Sequence, residues 1–346
     1  MKKNRYNNLN RREFFAAGGG LLYLMSANLK SKAEGILGSN LRYGRTIPNT
    51  SKSKVVLVRT NDRDEGVKKS LKLLKINPCS GKDVLIKPNF NTSDAFPGST
   101  HNDTLRAVLS HVKEMGAKKV TIGDRSGPEP TDQVLEKKGI HGLAGEFDAS
   151  VVNFDALGES GYVKVSPPGA HWADGFLVAK PLMDSECIVS TCCLKTHQYG
   201  GIFTMSLKNS VGIVPRQNYT YMRELHSSSH QRKMIAEINA AYSPALIILD
   251  GIEAFVDGGP MTGERKTADV FLAGTDRVAI DAVGVAILKE LGSNDNIMGK
   301  NIFEQEQIAR AAEIKLGIAS PSDILIETGD EASRNYADKL LKILNA

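Results

Sequence analysis

Continuous apolar runs alternate along this chain with stretches whose apolar residues recur every three or four positions. The first run, KVVLVRT from Lys54 to Thr60, reads as a strand covered on both faces, and the following DEGVKKSLKLLK reads as an amphipathic helix. KDVLIKPN is a second strand, stopped by Pro88. In HNDTLRAVLSHVKEMG, Asn102 or Asp103 is expected to cap a helix that Gly116 closes. KKVTIGD, ASVVNFD, CIVSTCCLKTH, PALIILD, DVFLAGTD and DILIETG read as further strands. Helical patterns lie between them near Thr131 to Lys138, in HQRKMIAEINAAY and in DRVAIDAVGVAILKELG, and a last helix ends the chain. This alternation specifies an α/β fold, a mostly parallel sheet with helices on both faces. YVKVS and FLVAKP, close together around Trp172, point instead to an antiparallel hairpin inserted around residues 161–182.

In open sheets of this class ligands sit beyond the carboxyl ends of the strands. Those ends carry Lys87 and Asn89 after VLI, Asp124 after TIG, Lys195 and His197 after TCCL, Asp250 after IIL and Asp276 after LAGT. Lys208 and Asn209 follow Lys195 after two glycines and are expected about three helical turns on. Ammonium groups beside a helix start make a pocket for a carboxylate or phosphate. A histidine among them could move a proton near neutral pH, and a lysine among other cations has a lowered pKa suited to a base or nucleophile. His197, Lys195, Lys208 and Asp250 are therefore the catalytic candidates. Lys87, Asn89, Asp124, Asn209, Asp276 and Asp281 are the ligand-binding candidates. The plainer alternative for each lysine is a pair with Asp124, Asp250 or Asp276 across the rim. Asp281 lies on the stripe of Val278, Ala282, Val285 and Leu288, where a carboxylate needs a partner such as Arg277 or a rim lysine.

Other motifs are weaker. LDGIEAFVDGGPMTGERK, carrying Glu253, Asp257 and Glu264, reads as a lid or a simple turn, and its glycines match no dinucleotide or Walker spacing. His226 and His230 stand four apart in HSSSH without the glutamate of a metalloprotease, so no metal ligand is assigned.

With 41% hydrophobic and 24% charged residues, the 346-residue chain has the composition of a globular protein. Its net charge of +5 is concentrated at the start, where Lys2, Lys3, Arg5, Arg11, Arg12, Lys30 and Lys32 face Glu13 alone. A nearly neutral remainder argues against a nucleic-acid partner. Arg11 and Arg12 precede an uncharged, glycine-rich run from Phe14 to Ala27, too short for the roughly 20 residues of a membrane-spanning helix. Residues 1–33 resemble a signal of the twin-arginine type, cut after Ala27 or Ala33. The expectation is a protein exported to the periplasm or an equivalent space by the twin-arginine machinery. No stable transmembrane segment is expected after cleavage. A linker is expected at 34–53 and an α/β domain of one or two lobes at 54–346. Of the four cysteines, Cys187 and Cys193 lie about 20 Å apart along one strand and adjacent Cys192 and Cys193 are poor partners. Cys79 reaches another only if the fold brings it there, so small buried thiols are expected. Without a C-x-x-C pair, an iron–sulfur cluster held by this chain is not expected.

VLIKPNFN, EMGAKKVTIGD, LKTHQYGGIFTMSLKNSVG, LDGIEAFVDGGPMTG and AGTDRVAIDAVG, in this order, resemble the domain of unknown function 362 family, over Val55 to about Gly292. All the site candidates lie within these motifs. Many members carry ferredoxin-type cysteine clusters, which this sequence lacks. A fainter likeness is to the lactate racemase group, whose nickel-pincer cofactor is held by lysine and histidine. The resemblances imply a fold and a rim site, with the cofactor unknown. The function expected is that of an exported enzyme binding a small anionic ligand, with redox or isomerase-type proton transfer. The alternative is a non-catalytic ligand carrier or assembly protein.

Overall fold

The computed structural model describes residues 52–346, so the twin-arginine segment and most of the linker lie outside the described residues. The strands are β1 (Ser53–Arg59), β2 (Asp83–Lys87), β3 (Lys119–Asp124), β4 (Ser150–Asn153), β5 (Tyr162–Val165), β6 (Phe176–Ala179), β7 (Cys187–His197), β8 (Ile202–Thr204), β9 (Leu246–Gly258), β10 (Gly263–Gly274) and β11 (Ile324–Glu327). The main sheet runs β11-β1-β10-β9-β7-β2-β3-β4, with β8 added to β7. The pairs β11–β1, β9–β7, β7–β2, β2–β3 and β3–β4 are parallel, so the mostly parallel sheet holds. β10 is antiparallel to both β1 and β9, and the short β8 is antiparallel to β7.

The apolar runs are continuous because both faces of the sheet are covered. In β1, Val55 and Leu57 pack with Val283 and Ile287 of helix Arg277–Glu290, while Val56 and Val58 pack with Val67 of helix Arg63–Leu74 and Leu105 of helix Asn102–Glu114. β7 is buried along its whole length. The expected hairpin is present, with β5 and β6 antiparallel and packed around Trp172 and Phe176.

Three local expectations are corrected. The ring of His101, not Asn102 or Asp103, caps helix Asn102–Glu114 by accepting from the Asp103 amide at 3.1 Å. The segment read as a lid or turn continues β9 to Gly258 and opens β10 at Gly263, so glycine and proline concentrate in a tip of four residues. Ile252, Ala254, Phe255 and Val256 are buried along this arm, with Glu253 half-buried after Ile252 and Asp257 exposed after Val256. The third correction concerns the approach to Lys208. After β7 the chain reverses at Gly200 and Gly201, and β8 pairs back with Lys195 opposite Thr204 and His197 opposite Ile202. A one-turn helix, Ser206–Asn209, then carries Lys208. Ile202 takes φ 69°, unusual for a β-branched residue, which marks this reversal as strained.

Candidate functional site

β2, β3 and β7 run in parallel and end on one edge of the sheet, bringing Lys87, Asp124 and Lys195 to the wall of one cavity of about 40 Å³. Asn89, Asn91, Arg125, Thr204, Lys208, Asn209 and Pro260 complete most of its lining. Lys87 Nζ lies 2.6 Å from Asp124 Oδ1, and both side chains are almost wholly buried. Burial pushes the Asp124 carboxyl up and the Lys87 ammonium down, each opposed by the charge of the other. Asp124 also accepts from the amides of Phe90 and Arg125, both at 2.7 Å. Asn209 clamps this corner: its Oδ1 accepts from Lys87 at 3.1 Å, and its Nδ2 donates to Ser190 Oγ at 3.1 Å and to the Thr191 carbonyl at 3.2 Å.

Lys195, fully buried, donates to the carbonyls of Gly98 at 2.5 Å and Pro260 at 3.2 Å, tying the β9–β10 tip to the loop before helix Asn102–Glu114. Burial lowers its pKa to about 8. Where it leaves β9, β7 carries an irregularity between Cys193 and Lys195, a device that re-aims side chains near sites. Lys208 is half-buried and donates to no protein group among the described residues. Burial, with Lys195 and Arg125 nearby, brings its pKa down to about 7. Its stem is held against the backbone of Gly201, where a Cβ would sit 2.6 Å from Lys208 Cε and 3.0 Å from His197 Nδ1. The missing side chain at Gly201 thus leaves room for Lys208 and His197.

His197 stands behind that glycine and does not line the cavity. Burial, together with Lys208, holds its pKa well below the ordinary histidine value. Its ring is therefore neutral near pH 7, and the proton transfer expected of it would take place away from the cavity lining.

Three further candidates stand apart from the cavity. Asp250 lies inside β9, not at a strand exit, and is taken up by Arg63 Nε at 2.9 Å, Thr104 Oγ1 at 2.5 Å and the Ile252 amide at 3.1 Å. Asp276 follows β10, which runs antiparallel to its neighbours and therefore does not end on the edge that carries Lys87 and Asp124. It caps helix Arg277–Glu290 through the amides of Val278 and Ala279. Asp281 accepts from the amides of Ser206 at 2.8 Å and Leu207 at 2.9 Å, so its partner is the start of the turn carrying Lys208, not Arg277 or a rim lysine. Burial raises its carboxyl to about 7.

Sequence reasoning missed Arg125, Asn91 and Thr204. Arg125 follows Asp124 directly and donates to the carbonyls of Val214 at 2.9 Å and Ser126 at 3.0 Å, and to that of Val211. Burial lowers it only to about 10, so it stays charged. Asn91 continues the alternation of Lys87 and Asn89, a legible signal. Thr204 depends on the unforeseen β7–β8 hairpin and has no such signal. Asn89 Oδ1, Asn91 Nδ2 and Thr204 Oγ1 are buried with no partner among the described residues. Buried polar groups are seldom left so, and a ligand or water at the cavity is their natural partner. Four cations face one carboxylate around a space fit for a few waters or one oxyanion group.

The chain belongs to the domain of unknown function family DUF362, whose model matches residues 84–286. That span contains every cavity residue named above. A thylakoid-associated protein of Synechocystis sp. is 28% identical over 255 residues, covering 71% of this chain and 75% of that protein. The lactate racemase apoprotein from Thermoanaerobacterium thermosaccharolyticum is 14% identical, with a TM-score of 0.43 over 86% of this chain and 90% of that one.

Proposed function

We propose that this chain is an exported enzyme that binds a small carboxylate- or phosphate-bearing molecule in the cavity and moves a proton on it, chemistry of the isomerase or redox class. Lys208 carries the reading: among the described residues its ammonium has no partner, and it titrates near neutrality beside Lys195, Arg125 and the donors Asn91 Nδ2 and Thr204 Oγ1, which likewise have no partner there. Lys195 and Arg125, already anchored to carbonyls, supply fixed positive charge. Lys208 is free to gain and lose the proton, a role that its pKa suits better than that of His197. Export rests on the twin-arginine pattern at residues 1–33.

The test is mass spectrometry of small molecules released from natively purified protein, followed by incubation of the released molecule with protein in deuterated water. Wild type should retain an anionic molecule and exchange deuterium into a carbon-bound position, and Lys208→Met should lose both with an unchanged fold. Equal retention and exchange by Lys208→Met overturns the assignment. Retention without exchange by wild type overturns the enzyme and supports a ligand carrier.

A further inference from the structure

Cys79 and Cys187 are separated by 108 positions, yet their sulfurs lie 3.5 Å apart, both as free thiols shielded from solvent. This is the contact that sequence alone left open. It sits at the edge of the sheet where β2 and β7 begin, with Val84 paired to Cys187, opposite the edge that carries the cavity. The surroundings fix it. The Asp83 amide donates to Glu186 Oε2 at 2.8 Å and the Glu186 amide to the Asp83 carbonyl at 3.0 Å, so the two segments are tied next to the sulfurs. The Lys82 amide donates to the Cys79 carbonyl at 3.1 Å, and Lys82 Nζ to the Pro78 carbonyl at 2.8 Å, which stations an ammonium beside the pair. A cation there favours the thiolate that exchange requires. Cys192 and Cys193 differ: they are neighbours in the middle of β7, packed into the cores on opposite faces of the sheet.

We propose that Cys79 and Cys187 are a disulfide site, closed by thiol–disulfide exchange when the folded protein meets a disulfide oxidant. One cysteine thiolate attacks a sulfur of the oxidant and releases one thiolate from it. The second cysteine thiolate then attacks the mixed disulfide at the protein sulfur and displaces the other half. Two electrons pass to the oxidant, whose two leaving thiolates take up the protons the cysteines lose. The sulfurs must close from 3.5 Å to about 2.05 Å. Cys79 sits in a surface loop whose neighbours Asn77, Ser80 and Gly81 are exposed, so a local opening of that loop admits the oxidant and a small shift closes the bond. The ring so formed encloses Lys87, Asn89, Asp124 and Arg125, and a constraint on a loop of this length acts mainly on the unfolded chain.

The purified full-length chain is incubated with oxidised glutathione, denatured, alkylated and mapped by peptide mass. The expected result is a Cys79–Cys187 cross-link with the mass of two hydrogens lost, reversed by dithiothreitol. Cys192 and Cys193 should be alkylated, and the Tm of the oxidised protein should lie roughly 5 °C or more above that of the reduced one. Cys187→Ser should abolish the cross-link and the Tm difference. Four alkylated cysteines after oxidation, a glutathione adduct without a cross-link, or a link through Cys192 or Cys193 overturns the proposal. The wild-type map decides the matter even if the serine variant fails to fold.

Discussion

Lys87 Nζ and Asp124 Oδ1 stand 2.6 Å apart with both side chains out of reach of water. A buried pair of this kind costs most when only one partner is removed, because the other charge is then left uncompensated. Asp124→Ala should lower unfolding stability by about 3–5 kcal/mol, measured by denaturant titration. The double variant Lys87→Met, Asp124→Leu should lose much less than the two single losses added together. Additive losses would mean that the pair is not coupled.

Lys208 makes the second prediction, a pH dependence. Its pKa of about 7 means the ammonium is present below neutrality and lost above it. Affinity for a small carboxylate or for inorganic phosphate should therefore fall as pH rises through 7, followed by a second decline as Lys195 titrates near 8. Lys208→Met should bind too weakly to retain its ligand through purification, and the residual affinity read by titration should lack the first decline and keep only the one from Lys195. Stability should move the other way. Between the folded pKa and the ordinary lysine value of 10.5, the unfolded chain holds a proton that the folded chain has released, so unfolding stability rises with pH across that window. Isothermal titration and urea unfolding over this range check both, and a flat binding profile in wild type refutes the role given to Lys208.

How much of this was legible in the sequence depends on whether a strand's direction was. β2, β3 and β7 announce themselves as apolar runs, and their polar ends, Lys87, Asp124 and Lys195, meet because parallel strands share one exit edge. DVFLAGTD looks the same along the chain, yet β10 is the return arm of a hairpin, and Asp276 leaves the sheet away from that edge. Nothing in an apolar run states its direction; only the shortness of the tip after Gly258 does. Asp250 misled for a related reason, since Ile252, Ala254 and Val256 carry β9 past it. Asp281 was legible as an anomaly, a carboxylate on an apolar stripe, but not in its partners. Its acceptors face backbone amides of Ser206 and Leu207, which the sequence pattern does not display.

Gly212 lies against the buried pair, where a Cβ would come within 2.5 Å of Asp124 Oδ1 and 2.7 Å of Lys87 Nζ. Gly212→Ala should cost about 1–3 kcal/mol, the usual penalty of overpacking a filled site. Because the clash falls on the charged atoms themselves, it should also weaken binding of the cavity ligand. Gly142→Ala, placed where an added Cβ meets nothing within 4 Å, serves as the neutral control. Equal stability of the two variants would count against the packing described for Gly212.

Asp281 ties the helix Arg277–Glu290 to the turn that carries Lys208 and Asn209, and it titrates against Lys208 in its effect on stability. Burial raises its folded pKa to about 7 from the ordinary 3.8. Between those values the folded chain binds the proton that the unfolded chain has lost, so its contribution to stability is full in acid and declines as pH rises toward 7. Lys208 contributes the opposite slope above 7, and the two together should place a minimum in the stability of the free protein near neutrality. Asp281→Asn, which cannot ionise, should flatten the acid limb and leave the alkaline one. It should also cost about 1–3 kcal/mol, since one of the two amides loses its acceptor. Chemical denaturation of wild type, Asp281→Asn and Lys208→Met across this range separates the limbs. If Asp281→Asn leaves the acid limb in place, another group governs it and the anchoring carboxylate is ionised throughout.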